Sequence, residues 1–94
     1  LNPHGLPMYL ELDMPFPNPF NSNATITYSL PRMSEVSITL IDNSGQQAKS
    51  LFNAVQQIGR YTLLLNADDL PSGTYFIRLT AGDKVRTQKI TLLR

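Results

Sequence analysis

At 94 residues and a net charge of +1, the chain holds one domain at most. It can bury roughly two thirds of its unfolded surface, enough for two packed layers but not for a deep catalytic cleft as well. A hydrophobic share of 41% with only 16% charged residues excludes a disordered tail, and the lack of cysteine excludes disulfides and thiolate metal sites.

The chain opens Leu1-Asn2-Pro3, with no initiator Met and no signal peptide, and reads as a module cut from something longer. Leu1 to Pro7 has the composition of a linker. Its His4, the single histidine, has no second ligand nearby and reads as solvated. Met8, Leu10, Leu12 and Met14 alternate with Tyr9, Glu11 and Asp13 between Pro7 and Pro15, which predicts a first strand. Residues 1–15 are therefore linker and a possible first strand. Pro15, Pro17 and Pro19 then remove donors and force extended or turn geometry around Asn18. At least one of Phe16 and Phe20 is expected to plug an end of the core.

Strands follow in quick succession. Ala24 to Leu30 sets Ile26, Tyr28 and Leu30 on one face, and Pro31 to Ser34 turns the chain. Glu35 to Asp42 sets Val36, Ile38 and Leu40 inward, opposite Ser37, Thr39 and Ile41. Asn43 to Gln46 closes a hairpin, with Asn43 and Gly45 as the positive-φ residues. From Gln47 to Val55 the apolar residues Ala48, Leu51, Phe52 and Val55 have helical spacing, but the hairpin turn and the surrounding strands favour a strand with a bulge or an irregular crossing. Gly59 to Leu65 resumes alternation through Tyr61, Leu63 and Leu65. After a turn over Leu70 to Gly73, a strand follows with Tyr75, Ile77 and Leu79 on one face. Tyr75 is placed to hydrogen-bond back to that turn as a tyrosine corner. Ala81 to Asp83 makes the last turn, and Lys84 to Arg94 the last strand, in which one bulge would bring Val85 into phase with Ile90 and Leu92. Six to seven short strands with turns every eight to twelve residues predict an all-β sandwich.

Reactive side chains are few. Without cysteine and with one linker histidine, a nucleophile would have no base, and no glycine-rich loop precedes a helix; the expected catalytic, cofactor and metal residues are none. Asn66, Asp68 and Asp69 offer oxygens either to a calcium ion or to an Asx-turn ahead of Pro71. The aromatic residues mostly occupy core-facing phase, leaving no stacking platform for nucleic acid or sugar; Phe76, beside Arg78, faces outward. From Arg78 onward five basic residues face one acid, Asp83, a balance of +4. That tail suits either an anionic partner or an edge strand protected by cations. Folding alone does not explain Arg78.

Three motifs in register resemble the type IX (Por) secretion C-terminal sorting domains, type A. Pro17-Asn18-Pro19-Phe20-Asn21 is similar to the family's opening motif. Leu70 to Leu79, with Gly73, Tyr75 and Arg78, is similar to the central one, and Lys89-Ile90-Thr91-Leu92-Leu93-Arg94 to the terminal one. Val36 to Gln46 also resembles the family, which often has Tyr where Ile41 stands. The resemblance covers Pro17 to Arg94 and implies an immunoglobulin-like β-sandwich of about seven antiparallel strands over residues 16–94. It implies a non-catalytic address attached to an upstream cargo domain, held folded in the periplasm, read by the type IX outer-membrane translocon, and removed by a sortase-like peptidase that anchors the cargo at the cell surface. Pro17, Asn18, Pro19, Gly73, Tyr75, Arg78, Lys89 and Arg94 are the candidate recognition residues. A binding or spacer sandwich module, for carbohydrate or protein, is the alternative.

Overall fold

A computed structural model describes residues 5–94; His4 and the start of the expected linker lie outside the described residues. The described residues form seven strands: β1 Glu11–Leu12, β2 Asn23–Leu30, β3 Ser34–Asp42, β4 Gln47–Gln56, β5 Gly59–Asn66, β6 Gly73–Ala81 and β7 Lys84–Leu92. They build a three-stranded sheet ordered β1-β2-β5 and a four-stranded sheet ordered β4-β3-β6-β7, with every strand pair antiparallel. Period-two alternation drives this arrangement, since each sheet has one apolar face to remove from water. Ile26, Tyr28 and Leu65 from the first sheet meet Ile38, Ile77, Leu79 and Ile90 from the second in one buried cluster. The sandwich is therefore the expected one, and its β4 lies beside β3 rather than in the β1-β2-β5 sheet.

Three local expectations are corrected by pairing. The first strand shrinks from seven residues to two: Leu10 and Leu12 are buried in the expected phase, while Met8 and Met14 are 52% and 78% exposed. Its ladder is bounded because Leu10 would next pair at Leu30, where β2 ends and Pro31 offers no N–H, and because Pro15 offers none at the other end. The last strand carries no bulge. β6 and β7 pair without a break from Gly73–Leu92 to Ala81–Lys84, so Val85 faces outward and is 48% exposed. Lys84, Arg86 and Gln88 consequently hold the inner phase, and the amide of Gln88 donates to the Leu12 carbonyl at 2.9 Å, bridging the sheets. In the β3–β4 hairpin only Gly45 has positive φ, at 90°. Instead of Asn43, the Asp42 carboxylate organises the turn, accepting from Ser44 N, Ser44 Oγ and Gln46 N at 2.9, 2.6 and 3.0 Å.

β4 is a strand with not one bulge but two. Ile38 pairs with Phe52 and Thr39 with Ser50, then Leu40 with Lys49 and Ile41 with Gln47, leaving Leu51 and Ala48 as extra residues. Each extra residue resets which side chain faces inward, so Ala48, Leu51 and Phe52 all pack against the core. Their helix-like spacing is the trace of two bulges. Outside the core, the Arg60 guanidinium donates to Ser29 Oγ at 2.8 Å and pairs with Asp13, strapping the short β1 to β2 and β5.

Candidate functional site

The segment from Met14 to Ser22 leaves one sheet and joins the other. Phe16 bridges Thr25 of β2, exchanging backbone hydrogen bonds, and four residues later Phe20 bridges Leu92 of β7 in parallel. Pro15, Pro17 and Pro19 permit the switch because none of them can donate to either ladder. Phe20 is 2% exposed and plugs the core, whereas Phe16 is 75% exposed. Tyr9 is exposed too, so two aromatic residues, besides Phe76, lie outside the core.

Between the two bridges, Asn18 uses its side chain as a peptide unit. Its Nδ2 donates to the Lys89 carbonyl at 3.1 Å, and its Oδ1 accepts from Thr91 N at 3.0 Å. Phe20 N then donates to the Thr91 carbonyl at 2.9 Å and Leu93 N to the Phe20 carbonyl at 2.8 Å. Four hydrogen bonds thus close the edge of β7 from Lys89 to Leu93. Pro17 and Pro19 are exposed and hold Asn18 from either side.

The end of the same strand grips the corner between β5 and β6. Arg94 donates from Nε to the Leu70 carbonyl at 2.7 Å and from its guanidinium to the Ala67 carbonyl, and its backbone N donates to Ser72 Oγ at 3.0 Å. An arginine suits this position because its planar fork can serve two carbonyls of one turn together. The corner is fastened again by Tyr75, whose hydroxyl donates to the Pro71 carbonyl at 2.6 Å, the expected tyrosine corner. Gly73 begins β6 at a φ of 159°, positive but close to full extension. Asn66 Oδ1 accepts from Asp68 N at 3.0 Å as an Asx-turn, and Lys49 pairs with Asp69 at 3.1 Å. The Lys49 contact, with the hydrogen bond it donates, holds the Asp69 carboxyl below its ordinary 3.8. Among the described residues no cluster of three metal-ligating side chains occurs.

Six of the eight candidate residues therefore fall into one assembly: Pro17, Asn18 and Pro19 beside β7, and Gly73, Tyr75 and Arg94 at the corner. Arg78 and Lys89 stand apart from it as side chains. Both are exposed on the outer face of the four-stranded sheet, with Arg78 opposite Thr87 and Thr39, and Lys89 opposite the half-buried Phe76. Neither has a carboxylate within ion-pair distance among the described residues, whose two ion pairs are Lys49–Asp69 and Arg60–Asp13. Ile41 shares this face but is buried, opposite Phe76 in register. Of the acceptors that hold Arg94, Leu70 and Ser72 lie inside the central motif though not among the candidate residues, and the Ala67 carbonyl lies outside every motif.

At the opposite end, where β1 stops short, an open groove of about 950 Å³ is lined by Met8, Tyr9, Met33, Lys84 and Arg86 among others. Glu35 and Asp83 also line it, and none of the three motifs reaches it.

The family described as "Secretion system C-terminal sorting domain" matches this chain over residues 15–92. No curated protein matches it.

Proposed function

Because the chain belongs to the secretion-system C-terminal sorting domains, we propose that its address is a folded surface rather than a set of linear signals. As a type IX sorting signal it works with the type IX machinery on a linked upstream cargo, and its destination is the outer-membrane surface or the extracellular space. In our reading the domain is non-catalytic, crosses the periplasm folded and is read there by the translocon. A sortase-like peptidase then removes it, with the cut falling in the residues before β1, and anchors the cargo at the cell surface.

The observation that carries this reading is the convergence of three motifs distant in sequence: Asn18 on the β7 edge, Arg94 on the corner, and Tyr75 on the same corner. Their bonds are internal, so they shape the surface without needing to touch a partner. Of the candidate residues, those left to touch one are Arg78 and Lys89, exposed cations outside both ion pairs of the described residues. Opposite charge on a receptor would steer the encounter and set its register.

Fusing residues 1–94 to a reporter behind a signal peptide should send the reporter outside a host with the type IX machinery; periplasmic retention overturns the sorting role. Replacing Arg78 and Lys89 together by alanine should lower export several-fold while leaving the melting temperature unchanged. Export at the original level would remove these two residues from the recognised surface.

A further inference from the structure

We propose that the open half of the β7 edge, Val85 to Lys89, is a docking site that accepts an acidic, extended peptide segment as an added strand. The sheet order leaves one side of β7 unpaired. Along an antiparallel strand, alternate residues direct both peptide groups to the same side. The Lys89 carbonyl and the Thr91 N–H and C=O point away from β6, since Asn18 and Phe20 bind them. By the same parity, the peptide groups of Thr87 and Val85 also point to the open side.

The chain closes this edge over one half only. From the Lys89 carbonyl to the Leu93 N–H every outward group is bonded, and upstream the Val85 carbonyl accepts from its neighbour Arg86 Nη1 at 2.9 Å. The N–H and C=O of Thr87 and the N–H of Lys89 carry no further bond among the described residues. A residue set opposite Thr87 would exchange two hydrogen bonds with it, and its neighbour would accept a third from Lys89, the minimal grip of strand addition.

Charge selects the occupant. Lys84, Arg86 and Lys89 are exposed along the strand, Arg78 lies opposite Thr87, and none of the four takes part in an ion pair among the described residues. A second copy of this strand would set lysine and arginine against lysine and arginine, which edge cations exist to prevent. A strand alternating carboxylates with apolar residues would instead turn its carboxylates to Lys84 and Arg86 on one face of β7 and its apolar residues to the exposed Val85 on the other.

The measurement needs no export machinery, so it stands or falls separately from the sorting role. The isotope-labelled 94-residue chain is titrated with an acetylated, amidated heptapeptide alternating glutamate with valine or threonine, and with its glutamine counterpart. The expected result is amide shifts centred on Thr87 and Lys89, binding about tenfold weaker for the glutamine peptide, and weakening in about 0.5 M salt. Thr87→Pro, which removes an outward N–H and leaves the β6 ladder intact, should abolish binding. Should that variant fail to fold, Lys84→Glu combined with Arg86→Glu decides the matter, with an expected loss of about tenfold. Shifts centred elsewhere, no shift at millimolar peptide, equal binding of the glutamine peptide, or equally tight binding of a single-stranded DNA oligomer would each overturn the proposal.

Discussion

Tyr75 and Arg94 secure the same corner by different chemistry. The Tyr75 ring belongs to the core while its hydroxyl reaches Pro71, four residues back. Replacing it with phenylalanine keeps the packing and leaves the Pro71 carbonyl without that donor, which should cost about 1 kcal/mol. The denaturant midpoint should fall at unchanged slope, and an unmoved midpoint would refute the role. This contact is legible in the sequence because donor and acceptor lie within one turn. The Arg94 contact is not, since its acceptors at Leu70 and Ala67 come into reach only once β7 is paired. Arg94 therefore looks in the sequence like a free basic residue, equivalent to Arg78. In the fold Arg94 is engaged, whereas Arg78 has no ion-pair partner among the described residues.

Among the elements, the last strand depends most on a distant segment. Its C-terminal half is held on one side by β6 and on the other by Asn18 and Phe20. Asn18→Ala deletes two of the four outer bonds. Water can reach both freed groups, so the expected loss is about 1 kcal/mol. If the loss is confined to this edge, the Thr91 amide should exchange about fivefold faster; an unchanged Thr91 rate would mean that the edge is closed by something other than Asn18. Alternation alone places β2, β3, β5 and β6 correctly, because each is bounded by turn residues and keeps strict phase. It fails at β1 and β4 for one shared reason: pairing there depends on the partner strand. Pro31 shortens β1, and β3 forces two extra residues into β4. In β7 the out-of-phase Val85 is no defect to be repaired by a bulge; it faces the solvent on an uninterrupted strand.

For the molecule as a whole, two aspartates at turns contribute to the loss of stability in acid. Hydrogen bonds from Ser44 and the Gln46 backbone hold Asp42 below its ordinary 3.8, and Lys49 does the same for Asp69. With folded-state values below unfolded ones, the unfolded chain binds more protons in that interval. The stability these groups add is complete above about pH 4 and is lost as the pH falls through their folded-state values. Urea denaturation between about pH 2 and pH 5 should show that decline, and Asp42→Asn should make it shallower; an equally steep decline in the variant would remove Asp42 from the account. At the alkaline end, burial raises Tyr28 above its ordinary 10.0. Its contribution is whole below that value and fades as the pH rises through the folded-state one.

The sequence by itself determined the sandwich, the core faces of the long strands and the tyrosine corner, because period-two burial and turn chemistry act over a few residues. It also carried the three motifs that mark a sorting domain. Only the tertiary structure decided what those motifs do to one another. The Asn18 side chain completes an edge some seventy residues away, Arg94 fastens the corner behind Tyr75, and half of the β7 edge stays open. A hydrogen bond between distant segments leaves no periodic trace in the chain, since the fold alone sets which donor meets which acceptor.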